Sequence, residues 1–131
     1  KTYESFPSGP LPGRLNIVLT RGDMELPDGA VVAHTPDEAL SIAADYIAAK
    51  SEGSADDTML SAMVVGGGEI YHMFMPMADT LEITEIDAAA PSDTDTWFPE
   101  ISAGEWSVVY EGEIQADPRS GAEYRFITYR R

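Results

Sequence analysis

Cysteine is absent from the 131-residue sequence, which excludes both a disulfide framework and a thiolate zinc site. Histidine is nearly so. His34 and His72 are the only two, no H-E-x-x-H occurs, and "DTDTW" lacks the glycine and closing glutamate of a calcium loop, so no metal is expected. Basic residues are scarce, 8 against 23 acidic, and the net charge of −15 speaks against nucleic acid or an anionic membrane surface as a general partner. No apolar run approaches the length of a membrane span, and "KTYESF" carries no signal-peptide core. A soluble, cytoplasmic protein is the expectation. Internal repeats, low-complexity tracts and an interdomain linker are also missing, so residues 1–131 read as one domain. The chain has no initiator methionine and opens inside what reads as the tail of a helix, so its start is expected not to be the natural one.

What is present is enough to build a core: 44% hydrophobic residues, 9% of the chain aromatic. "PSGPLPG" is a turn-rich loop whose prolines forbid regular structure, and "RLNIVLT" (14–20) is a β-branched strand. "RGDMELPDG" reads as a loop and "AVVA" (30–33) as a short strand. Thr35 then caps a helix with Pro36 at its first position, Asp37 and Glu38 in its first turn, and Ala39, Leu40, Ala43, Tyr46 and Ile47 on its apolar stripe. A polar loop (51–58) leads to "MLSAMVV" (59–65), an apolar run that reads as a buried strand, and to a short helix that Pro76 stops. "TLEITEID" (80–87), "EWSVVYEGEI" (105–114) and "AEYRFITYRR" (122–131) alternate as strands do. Strands alternating with helices and then strands alone predict an α/β sheet, mostly parallel with an antiparallel end. The cluster Met73, Phe74, Met75 and Met77 reads as core and helix packing rather than a binding surface.

Three consecutive glycines, Gly66, Gly67 and Gly68, stand between the apolar run and the short helix. Glycine orders at a high entropic cost, so a triplet makes sense where the backbone needs unusual dihedrals or another group must come very close. A strand–glycine–helix turn at the carboxyl end of a strand is where phosphate binds in α/β sheets; tight strand–helix packing is the other reading of the same residues. The triplet is not a Rossmann fingerprint, because Tyr71 stands where that pattern needs glycine or alanine.

The segments "KTYESF", "GPLPGRLNIVLTR", "TPDEAL", "MVVGGGEIYHMFMP", "ADTLEITEID", "DTWFP" and "YRFITYRR" occur in the order and spacing of one family, and together they span the chain. The sequence resembles the dihydrofolate reductases. The resemblance implies a three-layer α/β/α fold with a mostly parallel central sheet and an antiparallel C-terminal strand. It implies NADPH as cofactor, dihydrofolate and antifolates as ligands, and a monomer.

The site residues follow from the same resemblance. Lys1 and Thr2 match the helix start that receives the NADPH phosphates, and Thr20 and Arg21, after Leu19, match the turn around the adenosine 2′-phosphate. A guanidinium beside a hydroxyl suits a phosphate. Gly66, Gly67, Gly68, Glu69 and Ile70 match the pyrophosphate and nicotinamide turn, in which a Gly–Gly peptide is cis. Arg14 matches the arginine that pairs with the glutamate α-carboxylate of folate, and Ser5, Phe6 and Leu11 match the wall around its aminobenzoyl ring. The Val65 carbonyl, Tyr71 and Thr84 match groups around the pterin and nicotinamide, with Thr84 supporting catalysis through its hydroxyl. Either Asp93 or Asp95 matches the aspartate that steadies the active-site loop, because "AAAPSDT" is longer than the usual pattern. His34 falls where the family often has a base near the 2′-phosphate, and an exposed loop histidine fits equally. The family's N-terminal strand, mobile loop and acid-bearing helix have no counterpart in the sequence, so no catalytic acid is named and the 131 residues alone are expected to be inactive. Two other functions stay open: a non-catalytic fragment that keeps part of a nucleotide site, and a related NADPH-dependent pyrimidine reductase of the same fold.

Overall fold

The structure, a computed structural model, describes residues 9–22, 25–26, 29–52 and 61–131. The chain packs as two compact units, Lys1–Phe74 and Met75–Arg131.

The first unit is built on two parallel strands, β1 (Asn16–Leu19) and β2 (Ala30–Ala33), in register from Asn16 opposite Ala30 to Leu19 opposite Ala33. Backbone bonds from Asn16 N to the Gly29 carbonyl (2.9 Å) and from Thr20 N to the Ala33 carbonyl (3.0 Å) extend the ladder at both ends. Helix α1 (Pro36–Glu52) begins where its cap chemistry dictates. The Thr35 hydroxyl accepts from Glu38 N at 3.1 Å, and the Glu38 carboxylate reaches back to accept from His34 N at 3.1 Å. This is a capping box displaced by one residue. Asp37 and Glu38 in the first turn and Lys50 in the last also suit the helix dipole. Ala33, Ala39 and Phe74 form the buried core, with Ile17, Leu19, Ile42, Val64 and Ile70 packed against it. Two of the three are alanines, whose small side chains let the helix approach the strands closely. Phe74 comes from the short helix α2 (Gly68–Phe74) and supplies the volume.

The second unit is an antiparallel sheet. Strand β6 (Glu123–Arg130) lies between β3 (Thr80–Asp87) and β4 (Ser107–Glu111), and the two-residue β5 (Gln115–Ala116) pairs with its first half. Leu81, Trp106 and Ile127 are its buried residues. Two of the scarce arginines hold this unit together. Arg125 sits directly opposite Glu85 and donates to it at 2.9 and 3.1 Å, with Glu111 as its second partner. These carboxylates raise the pKa of its guanidinium, the Glu85 hydrogen bond most of all. Arg131 stacks over the Trp106 ring at 4.6 Å, donates to the carbonyls of Met75 and Pro76 and pairs with Glu105 at 3.1 Å.

The α/β class expected from the sequence holds, with parallel pairing in the first unit and antiparallel pairing in the second. "AVVA" and "TLEITEID" are strands over the expected residues. The run 59–65 differs. Residues 59 and 60 lie outside the described residues, and 61–65 form no strand there. Apolar composition alone does not make a strand, which needs a neighbour's N–H and C=O groups to pair with. Of residues 61–65 only Val64 packs on the core, while Met63 and Val65 are exposed. The methionine cluster also divides. Phe74 is core and Met73 is exposed, because on a short helix one residue in three or four faces a given side, while Met77 is exposed in the turn beyond the helix end.

Candidate functional site

Strand β1, the start of α1 and helix α2 converge on a cleft of about 370 Å³ lined by Leu19, Thr20, Arg21, His34, Pro36, Glu69, Ile70 and Met73. Each group arrives for a local reason. Leu19 ends β1, and the bond from Thr20 N to Ala33 O carries the chain one residue past the strand before it turns. His34 lies between β2 and the Thr35 cap, with its Nδ1 3.0 Å from the Thr20 carbonyl, so the two loops that form this rim touch. Glu69 and Ile70 stand in the first turn of α2, whose opening is the glycine triplet. The Gly66–Gly67 peptide is cis and Gly66 has φ of 118°, a conformation a side chain would strain. Tyr71 N donates to the Gly67 carbonyl at 2.9 Å, tying this turn into the helix.

An ion pair spans the cleft. Arg21 Nη2 lies 3.4 Å from Glu69 Oε1, with the two side chains 91% and 73% exposed. Such a pair is worth about 0–1 kcal/mol, so it leaves the guanidinium available to an anion.

A second group of expected residues lies on the loop before β1. Leu11 is half-buried and Arg14 exposed, its Nε donating to the Pro12 carbonyl at 3.1 Å. This loop is held by Asn16. The Asn16 amide accepts from Leu11 N at 2.8 Å and donates to Leu11 O at 2.9 Å and Arg14 O at 3.0 Å.

The expected residues therefore fall into clear sets. Leu19, Thr20, Arg21, Glu69 and Ile70 meet in the cleft, where His34 joins them. Leu11 and Arg14 share the loop, Val65, Gly66 and Gly67 lie on the segment that feeds α2, and Gly68 and Tyr71 lie in that helix. Thr84 belongs to the second unit, on β3 opposite Phe126. It lines a groove of about 360 Å³ with Ile86, Asp117, Ser120, Ala122, Tyr124 and Phe126. Asp93 and Asp95 are exposed, and Asp95 accepts from the Thr96 hydroxyl at 3.0 Å. Lys1, Thr2, Ser5 and Phe6 lie outside the described residues. Met73 and Asn16 were not expected at a site. Met73 shares the helical face of Ile70, a spacing of three that the sequence displays. For Asn16 the available signal was an amide side chain opening a strand directly after a Pro-Gly turn.

Residues 1–131 match the dihydrofolate reductase family. The chain belongs to that family. It is 37% identical over 135 residues to dihydrofolate reductase HdrB of Haloferax volcanii, covering 100% of this chain and 61% of that protein. The dihydrofolate reductase of Neisseria meningitidis serogroup A is 34% identical, over 100% of this chain and 71% of that protein. That of Haemophilus influenzae is 32% identical over 97% and 69%. The chain thus spans about six to seven tenths of the length of these dihydrofolate reductases.

Proposed function

We propose that the protein is a cytoplasmic, monomeric, NADPH-dependent dihydrofolate reductase in which this chain carries the cofactor cleft and the anchor for the folate carboxylate. The observation that carries the reading is the meeting of Thr20, Arg21, His34 and Glu69 in one cleft, with Glu69 and Ile70 following the glycine triplet directly in the chain. The donor set fits a phosphate. A hydroxyl, a guanidinium and an imidazole stand around it, and the single lining carboxylate, Glu69, pairs weakly with Arg21 at an exposed position.

In this reading Thr20 and Arg21, with His34, hold the 2′-phosphate of NADPH, and Lys1 and Thr2 receive other phosphate oxygens. Leu19, Gly66, Gly67, Gly68, Glu69 and Ile70 line the nucleotide, the glycines allowing the pyrophosphate to approach the backbone. Bound there, NADPH supplies the hydride that reduces C6 of dihydrofolate. Arg14 anchors the glutamate α-carboxylate, and Ser5, Phe6 and Leu11 wall the aminobenzoyl ring. The Val65 carbonyl and Tyr71 orient the pterin and nicotinamide, and the Thr84 hydroxyl binds the pterin. The loop aspartate is Asp93 or Asp95. No carboxylic acid of this sequence is assigned the protonation of N5.

The test follows NADPH oxidation by the full-length protein with dihydrofolate and, separately, with a ribosylated aminopyrimidine. Turnover with dihydrofolate alone is expected. Turnover with the pyrimidine alone would assign the fold to the related reductase, and tight NADPH binding without turnover of either substrate would make the protein a nucleotide-binding one.

A further inference from the structure

Among the described residues the Asn16 side chain engages three backbone segments by hydrogen bonds, and nothing in the cofactor or folate chemistry uses it directly. Its amide behaves as an extra peptide group. Oδ1 accepts from Leu11 N at 2.8 Å while Nδ2 donates to Leu11 O at 2.9 Å, a two-point pairing of the kind one strand makes with another. The same Nδ2 donates to Arg14 O at 3.0 Å and reaches Gly29 O at 3.5 Å. One half-buried side chain thus engages both ends of the loop Leu11–Arg14, and its own backbone is fixed in β1 by the bond to Gly29 O at 2.9 Å. Between those ends the one other side-chain hydrogen bond among the described residues is Arg14 Nε to Pro12 O, within the loop itself. Pro12, Gly13 and Arg14 are exposed, and Gly13 has φ of 75°.

We propose that Asn16 is a positioning residue for carboxylate recognition: it fastens the loop that carries Arg14 to the sheet, so that the guanidinium meets a ligand's carboxylate already ordered. The proposal rests on the reading of Arg14 as the folate anchor. The physical basis is entropic. A bidentate pair gains its full strength only when the fork is held in place, and a loop that must be ordered at the moment of binding subtracts that cost from affinity. Asn16 makes the ordering part of the fold instead.

The consequence is selective for ligands that carry the tail. In the full-length protein Asn16→Ala is expected to weaken methotrexate, which has a glutamate tail, by about 10-fold, the size of one or two side-chain ordering costs. A 2,4-diaminopteridine without the tail, and NADPH, should change by less than about 2-fold. Asn16→Ser keeps a hydroxyl able to make one of the bonds and should fall between wild type and alanine, which also provides a milder variant if Asn16→Ala folds poorly. The decisive arm is the cycle with Arg14→Ala. In the Arg14→Ala background the Asn16 substitution should no longer affect methotrexate, because there is no guanidinium left to position. Equal losses for tailed and tailless ligands, or a full Asn16 effect in the Arg14→Ala background, would reduce Asn16 to a stabilising residue and overturn the proposal. If Arg14→Ala itself fails to distinguish the two ligands, the reading of Arg14 falls, and the role of Asn16 falls with it.

Discussion

Arg14 and Arg21 are both exposed guanidinium groups in the first unit, yet their surroundings assign them different partners. Arg14 is folded over its own loop by the bond to Pro12 O, with no carboxylate among its hydrogen-bond partners in the described residues. Arg21 already faces Glu69 across the cleft. Arg14→Ala should therefore weaken folate and methotrexate-type ligands by on the order of 2–4 kcal/mol, the scale of losing one side of a charge-assisted pair, with NADPH affinity little changed in equilibrium titrations. Equal losses for both would contradict the assignment. Replacing Arg21 by glutamine should raise the NADPH dissociation constant more than that of NADH, and the gap should narrow as salt rises, since the distinguishing contact is exposed and screened. An unchanged NADPH/NADH ratio would leave Arg21 a surface base.

Elements differ in how far they could be read from the sequence, and the difference follows from how local their causes are. The start of α1 was legible to the residue because Thr35, Pro36 and Glu38 cap it from within four positions. Thr35→Ala should cost about 1 kcal/mol in thermal or urea unfolding, a typical loss for a helix cap. Strands β2 and β3 were legible because β-branched and alternating residues with turn signals bound them. The run 59–65 was not, since pairing is settled by a neighbour that composition does not name. The cleft was legible through the resemblance carried by "PLPGR" and "GGGEIY" rather than from any single residue. The Asn16 clamp escaped because its bonds depend on a loop conformation that exists only once the chain has turned.

The turn between β5 and β6 adds a pH dependence at the same scale. Asp117 accepts from the Ser120 hydroxyl at 2.7 Å and from the backbone N–H groups of Ser120 and Arg119, and these bonds, the Ser120 hydroxyl first, hold its carboxyl below the ordinary range. A carboxylate whose pKa is lower folded than unfolded stabilises the fold above the unfolded value, about 3.9, and that contribution disappears as pH falls through the folded value. Wild type should melt above Asp117→Asn at neutral pH, and the difference should close as the pH drops below about 3.9. A gap that persists or widens in acid would contradict the assignment.

At the scale of the whole molecule, charge is the dominant feature. There are 23 acidic and 8 basic residues, Arg125 and Arg131 are already committed to Glu85, Glu111 and Glu105, and most carboxylates of the described residues are exposed. Self-repulsion among like charges destabilises the compact state, and salt screens it as the Debye length falls from about 30 Å at 0.01 M to about 3 Å at 1 M. The melting temperature should rise with sodium chloride across that range; a flat or falling profile would show that ion pairs outweigh the repulsion. The central claim, that this chain belongs to an enzyme moving a hydride from NADPH to dihydrofolate, is tested most directly by isotope transfer. NADPH deuterated at C4 of the nicotinamide is incubated with dihydrofolate and the full-length protein, and the tetrahydrofolate formed is analysed by mass spectrometry and NMR. A single deuterium at C6 is predicted. Oxidation of the labelled cofactor with no deuterium in the pterin, or no reduced pterin at all, would contradict it.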